Sequence, residues 1–581
     1  MLGSGPGDPR RSRPTTSTTS TDHATDLLRA RAALITPPVG ARRLGPGALR
    51  GALVDLHDLW LSTRVAASGA ARGTALVAVG SLARRELAPY SGLDLLLVHD
   101  GARPDRAAAL AEALGPPLQA AGLAAQPPVR TVGEAVETSL DDVRIALALL
   151  GARMIAGDPE PADRLGAAAR RAWRAGWRTR VDDLVELTQA RWRRADDVAH
   201  RLEPELRDGR GGLRDVELLD ALAVAGTVDA PSADVRAART LLLDLRTELH
   251  RRAGRARDVL LAEDARDLVD AGSDHHALAR SVSGAARAVT AATDAALRRA
   301  RPAVAPRTPP RHALGEGVVE HAGEVTPARR ASVARDPVLV LRLATAAART
   351  GLPIAPQALR RLADAAPELR APWPDSARTE LFALLGAGDG LVAVVEALDR
   401  AGLWGRLFPE WGVVRDLPPG DARHVWTVDR HLVEVTRHAA ALASRVSRPD
   451  LLLLAALVHD LGRGRDDDPL VVGAVLAGHI GRRLGLSAAD TGTLERAVRH
   501  HRLLPRTVRR HDPGDPATVR QVVAVLEGDS VLLEILHALA EADALGTGPG
   551  VWTPWSAALL GELVGRCRAA MVDGVPSPAV S

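Results

Sequence analysis

The chain has no lysine and almost no aromatic residues. All 75 of its basic residues are arginine, balanced by 71 acidic ones for a formal net charge of +4, and only one Tyr and two Phe accompany ten Trp. Acidic residues are spread along the chain, which argues against the strongly basic footprint of a nucleic-acid binder. With so few aromatics, cores must be filled by Leu, Val and Ala, a composition that favours helices. The single cysteine, Cys567, excludes a disulfide framework and a Cys-rich zinc module, and is compatible with a cytoplasmic location. The longest strongly apolar run, Leu451–Val458, is far short of the ~20 residues that a membrane span needs. Neither a nucleic-acid nor a membrane partner is expected. What is present is length: 581 residues exceed a single core and suggest several domains.

Four segments stand out. A tail rich in Gly, Pro, Ser, Thr and Arg covers 1–22, has no apolar h-region and reads as disordered rather than as a secretion signal. Residues 23–160 mix helical pattern with strand-like runs at Ala75–Val79 and Leu93–Val98. Residues 161–300 are helical in pattern, and 301–334 open with four prolines in Arg301–Arg311, which reads as a linker. Helical periodicity returns over 335–570, followed by a Pro-containing tail at 571–581.

Two places carry chemistry. In the first, Ala78-Val79-Gly80-Ser81 is an apolar strand running into a Gly-Ser turn, and eleven residues later Leu93-Asp94-Leu95 begins a second strand. Carboxylates at i and i+2 of a strand share one face. Such a pair can hold the ions that bridge a nucleotide's phosphates, while backbone N–H groups at the turn face the triphosphate. Here Asp94 has no such partner, because Gly92 stands two residues before it. A plain strand–turn–helix would contain the same Gly-Ser.

In the second, Leu451–Val458 leads into His459-Asp460-Leu461-Gly462. His431 lies upstream in a helical stretch, His500-His501 and Asp543 downstream. Imidazole and carboxylate together suit a divalent ion that activates water for phosphoester cleavage. His-Asp alone is common by chance. The ordered set His431, His459-Asp460, Asp543 resembles the pattern of HD-superfamily phosphohydrolases.

The text around both places resembles the PII uridylyltransferase/uridylyl-removing enzymes. The matching blocks include Gly80–Val98 with Arg84, Arg85 and Glu86, Val129–Asp158, Glu203–Glu217 with its Gly209–Gly212 loop, Leu245–Asp258, Trp426–His431, 455–465, 482–487, 498–501 and 542–552. The resemblance implies a multidomain, mostly α protein. Its parts would be an α/β polymerase-beta-like nucleotidyltransferase domain, a helical domain and an all-α HD domain. It implies that Gly80, Ser81 and Arg84 bind the nucleotide. Asp94 is a catalytic metal ligand, with a third carboxylate from Asp141 or, preferably, Asp142. His431, His459, Asp460 and Asp543 are the HD metal ligands, His459 and Asp460 being also catalytic. Mg²⁺ is expected at the transferase site and Mn²⁺ or another divalent metal at the HD site. The implied partners are the PII signalling protein and UTP, or ATP in some lineages.

Three departures matter. Gly92 replaces an aspartate of the family's Asp-x-Asp, so transferase activity is expected to be severely reduced. Arg463 stands where lysine is usual and can contact phosphate, though with different geometry. Asp468 is followed by Pro469 where the family usually has Gly-Asp-His-Ser, so a two-metal centre is not expected. His479 and His438 read as structural. Family members usually end in two glutamine-sensing ACT domains, and the sequence stops near where they would begin, so control by that route is expected to be absent. The expected function is a bifunctional PII nucleotidyltransferase/nucleotidyl-removing enzyme of nitrogen regulation with an impaired transferase site. A phosphohydrolase working through the HD site alone and a non-catalytic PII-binding regulator are the alternatives.

Overall fold

Continuous apolar runs decide the first sheet. In the computed structural model, which describes residues 17–572 apart from 70–71, 124–125, 269–274, 301–309 and 422, β1 spans Thr74–Val79, β2 Asp94–His99, β3 Val129–Thr131 and β4 Arg153–Gly157. They form one sheet in the order β3-β2-β1-β4, with β1 antiparallel to β2 and β4, and β2 parallel to β3. Successive side chains point to opposite faces. Leu76, Ala78, Leu95 and Leu97 therefore pack with Leu49, Leu53 and Leu114 of the helices Pro46–Ala67 and Pro104–Ala120 on one face. Ala75, Val77, Leu96 and Val98 pack with Ala135, Leu149 and Leu165 on the other. Both faces of β1 are covered, which is why the strand reads as a continuous apolar run.

The same compact unit, residues up to Ala199 with Pro204–Gly272 and Ser281–Pro302, continues into a helical bundle. Its first helix, Pro159–Ala195, is 37 residues long, with Pro at its first position and the Asp158 carboxylate accepting from the Glu160 amide. Trp173, Leu184, Val216, Leu219 and Val289 form the bundle's core. The Gly209–Gly212 loop is glycine-rich for a packing reason. A Cβ at Gly211, where φ is +86°, would sit 2.6 Å from the Ala286 carbonyl oxygen.

The second unit comprises His200–Glu203, Ser273–Arg280 and Ala303–Ser581. It contains a sheet inside the stretch expected to be a linker: β5 (Arg311–Gly315), β6 (Val318–His321) and β7 (Glu324–Pro327) form an antiparallel meander. Val318 and Val325 bury against the core that includes Leu339. The two-residue turn between β6 and β7 has positive φ at Ala322 and Gly323, the backbone a tight hairpin requires. The remainder is helical. Pro449–Val458 has Leu451 to Val458 all buried, as expected for a helix apolar all round, and it packs between Val428–Leu442 and Ser530–Thr547. Of the expected tails, 1–16 and 573–581 lie outside the described residues, whereas a helix begins at Ser17. The chain is mostly α with small sheets, and among the described residues no helix is long and apolar enough to cross a membrane.

Candidate functional sites

In the first unit, the register Val79↔Asp94 places the start of β2 beside the end of β1. Gly80 has φ +61°, and a Cβ there would lie 2.7 Å from Asp94 Oδ2. Glycine is required both for the backbone and for the carboxylate's position. Gly80, Ser81, Arg84 and Asp94 line one cavity together with Arg214 and Glu217 of the helical bundle. Arg84 donates Nε to Glu86 at 2.9 Å and also pairs with Glu217, while Glu217 accepts from Arg214 at 2.8 Å. Glu86 further accepts from Arg239 at 2.5 Å, so the arginines of this wall are braced by carboxylates.

Asp142 is elsewhere. Its side chain caps the helix Val143–Leu150 by accepting from the Arg144 amide at 2.8 Å. The Arg144 guanidinium holds its carboxyl below the usual range. It is absent from the walls of both cavities that Asp94 lines, and Asp141 ends the preceding helix, Val132–Asp141. The structure thus brings Gly80, Ser81, Arg84 and Asp94 together and leaves Asp142 out, because a cap residue must turn its oxygen to its own helix N-terminus. Gly92 is exposed, and a Cβ there would meet only the Leu123 carbonyl oxygen, at 3.4 Å. Of the carboxylates that line the first of these cavities with Asp94, Glu86, Glu217 and Asp258 all pair with arginines.

In the second unit, the histidines converge from different helices. His431 comes from Val428–Leu442, His459 follows Pro449–Val458, and Asp543 comes from Ser530–Thr547. One ligand atom of each lies within 4.8 Å of the others. His431 Nε2 is 3.1 Å and His459 Nε2 3.8 Å from Asp543 Oδ1. Backbone carbonyls orient the rings: His431 Nδ1 faces Gly546 O at 3.3 Å, His459 Nδ1 faces Ala456 O at 2.9 Å and His501 Nδ1 faces Val498 O at 2.7 Å. A carbonyl only accepts, so each Nδ1 carries the proton and each Nε2 presents its lone pair. The Nε2 atoms of His431 and His459 are buried without a hydrogen-bond partner. Orphaned lone pairs beside a carboxylate are what a divalent cation satisfies, so these residues fit one.

Asp460 adjoins this cluster but is held by guanidinium groups. Arg463 Nε donates to its Oδ2 at 2.6 Å and Arg502 Nη2 to its Oδ1 at 3.3 Å, while His459 Nε2 stands 3.9 Å and His501 Nε2 3.7 Å away. Burial opposes ionisation of Asp460, yet His459, Arg463 and His501 outweigh it and keep its carboxyl far below the usual range. Asp543 is depressed likewise, burial being outweighed by His431 and His459 beside it. Burial pushes His459 down to about 4, so it stays neutral. His431, against the same burial, is raised by Asp543. Neutral imidazoles and ionised carboxylates are the forms that bind metal.

Two residues not singled out in the sequence join this site: His424, whose ring lies 5.0 Å from that of His431, and Arg502. His501, noted with His500, is the buried member of that pair, 5.1 Å from the His459 ring. His479 is exposed, and His438 packs beside Arg437 on the helix surface. Asp468 caps the helix Pro469–Leu484, with Pro469 in its first turn. Asp421, His424, Asp460, Arg463, Arg502 and Asp543 line a cavity of about 500 Å³.

A strand pair of nucleotidyltransferase type in one unit and a His/His-Asp/Asp centre of HD type in the other define a two-site enzyme of phosphoryl chemistry. Residues 428–545 match the HD domain, and residues 179–297 match the GlnD PII-uridylyltransferase domain. The chain is 49% identical to the bifunctional uridylyltransferase/uridylyl-removing enzyme of Mycobacterium tuberculosis, over 94% of this chain and 70% of that protein. It is 43% identical to the enzyme of the same name from Streptomyces coelicolor, over 92% of this chain and 66% of that protein, and 39% identical to that of Corynebacterium glutamicum, over 83% and 70%. The chain belongs to the family of bifunctional uridylyltransferase/uridylyl-removing enzymes. Its HD domain implies dependence on a divalent metal.

Proposed function

We propose that this protein works chiefly as the nucleotidyl-removing enzyme of a PII-type signalling protein, and that its transferase half, built for UTP or ATP with Mg²⁺, is impaired. The observation that carries the reading is the paired, unpartnered Nε2 atoms of His431 and His459 beside Asp543. His431, His459 and Asp543 would hold Mn²⁺ or a similar ion, with Asp460 adjacent. Such an ion supplies a Lewis acid for the phosphodiester and lowers the pKa of water. The chain's own groups do the rest. The carbonyls of Ala456 and Val498 fix the His459 and His501 rings. Arg463 and Arg502 steady Asp460 and bring positive charge to a wall that faces a phosphate. Water adds across the bond between phosphorus and the modified side chain's oxygen, releasing the nucleoside monophosphate and the free hydroxyl.

On the transferase side, Asp94 without a carboxylate at 92 lacks a ligand that two-ion transfer relies on, a loss of several kcal/mol in transition-state stabilisation. The test is mass spectrometry of PII incubated with the protein and Mn²⁺ or Mg²⁺. Nucleotidylated PII should lose its nucleotide, while unmodified PII with UTP or ATP should gain little mass. Gly92→Asp, for which there is room, should raise transfer by at least about a hundredfold. If nucleotidylated PII stays intact, the hydrolase reading fails. Rapid transfer by the unaltered chain would show that Gly92 is no impairment.

A further inference from the structure

The segment between Glu495 and Asp512 contains six arginines and three histidines, and not one carboxylate. Arg502 opens it inward by pairing with Asp460. Beyond it runs the helix Leu503–Arg510. Arg502, Arg506 and Arg509 follow spacings of four and three, which place them along one helix face. All three line the hydrolase cavity. Arg506 and Arg509 are exposed, and among the described residues neither has a side-chain partner. Arg496, by contrast, pairs with Asp529.

The helix Pro554–Val572 packs against this one. Its first turn contributes Ser556 to the cavity wall, and Trp552 lies just before it. Trp555, between them, is 73% exposed and is the aromatic among the large exposed hydrophobic side chains of the described residues. In a chain with thirteen aromatics, an indole left in solvent beside a catalytic cavity is a feature to explain. Trp and Arg together are the residues that carry most binding energy at protein interfaces.

We propose that Arg506, Arg509 and Trp555 form a docking rim that seats an acidic surface loop of the nucleotidylated protein substrate. The inference rests on the hydrolase reading above. A single phosphodiester carries one negative charge, and Arg463 and Arg502 already stand beside the metal ligands. An eight-residue helix extends ~12 Å, so its outer arginines reach past a mononucleotide and call for further anionic groups on the same ligand. A protein is favoured over RNA because the net charge of the whole chain is only +4.

The experiment compares the full chain with Arg506→Glu/Arg509→Glu and with Trp555→Ala on two substrates, nucleotidylated PII and bis(p-nitrophenyl) phosphate, both with Mn²⁺. The rim variants should raise KM for the protein at least about tenfold and flatten its salt dependence, while kcat/KM for the small ester falls much less. Unchanged KM for the protein would overturn the rim and leave the hydrolase reading intact, and so would an equal loss on both substrates. Cleavage of the ester by the unaltered chain with no action on nucleotidylated PII would overturn both. Loss of binding to a single-stranded RNA in the charge-reversed variant, with protein hydrolysis unaffected, would reassign the patch to nucleic acid.

Discussion

Cys567 is the chain's one thiol and has no exposed surface. Burial pushes its pKa up to about 11, so the nucleophilic thiolate is scarce at ordinary pH. Iodoacetamide at pH 8 should therefore leave the folded protein unmodified while alkylating it in guanidinium, as read by intact mass; equal rates in the two states would contradict the burial. The sign for stability follows. The folded state keeps a proton that the unfolded thiol gives up above about 8.5, so this group disfavours folding as pH rises from there towards 11. At the same scale, His431, His459, Asp460 and Asp543 are legible in the sequence because a motif with several ordered parts restricts where its members can fall. Arg502 and His424 are not, since nothing local distinguishes them and only tertiary packing brings them to the site. Asp142 shows the opposite case: a carboxylate near a helix start has a local use, capping, that competes with any distant one.

Among the elements, the turn after His459-Asp460 depends on close packing. A Cβ at Gly462 would lie 2.0 Å from the Pro469 carbonyl oxygen, which is backbone and cannot swing away. Gly462→Ala should destabilise the second unit by about 1–3 kcal/mol and weaken metal binding, because the strain falls two residues from Asp460. Gly478 offers the contrast. Its added Cβ would meet Glu495 Oε1 at 1.8 Å, the tip of a flexible side chain, so Gly478→Ala should cost far less. Thermal unfolding of the two variants decides the matter, and equal losses would mean that side-chain freedom is not what separates them. The helices here are readable from apolar periodicity, whereas β5–β7 are not. Their strands are short, and the prolines just before them mark the whole stretch as a connection.

For the molecule as a whole, the two chemistries draw on different compact units, Asp94 in one and His459 in the other. His459→Ala should abolish nucleotide removal and lower the bound metal content, measured by plasma mass spectrometry, without affecting the transfer that Gly92→Asp restores. A parallel fall in transfer would show that the units share machinery.

Asp468 caps its helix through its own side chain and does not depend on which residue follows it. Gly92 is exposed, with space for a side chain, and Pro469 occupies a first-turn position that other residues also adopt. Neither of these two departures from the family pattern is sealed by the packing around it. Both departures are thus written in side chains alone, and the backbone that carries them would accept either residue.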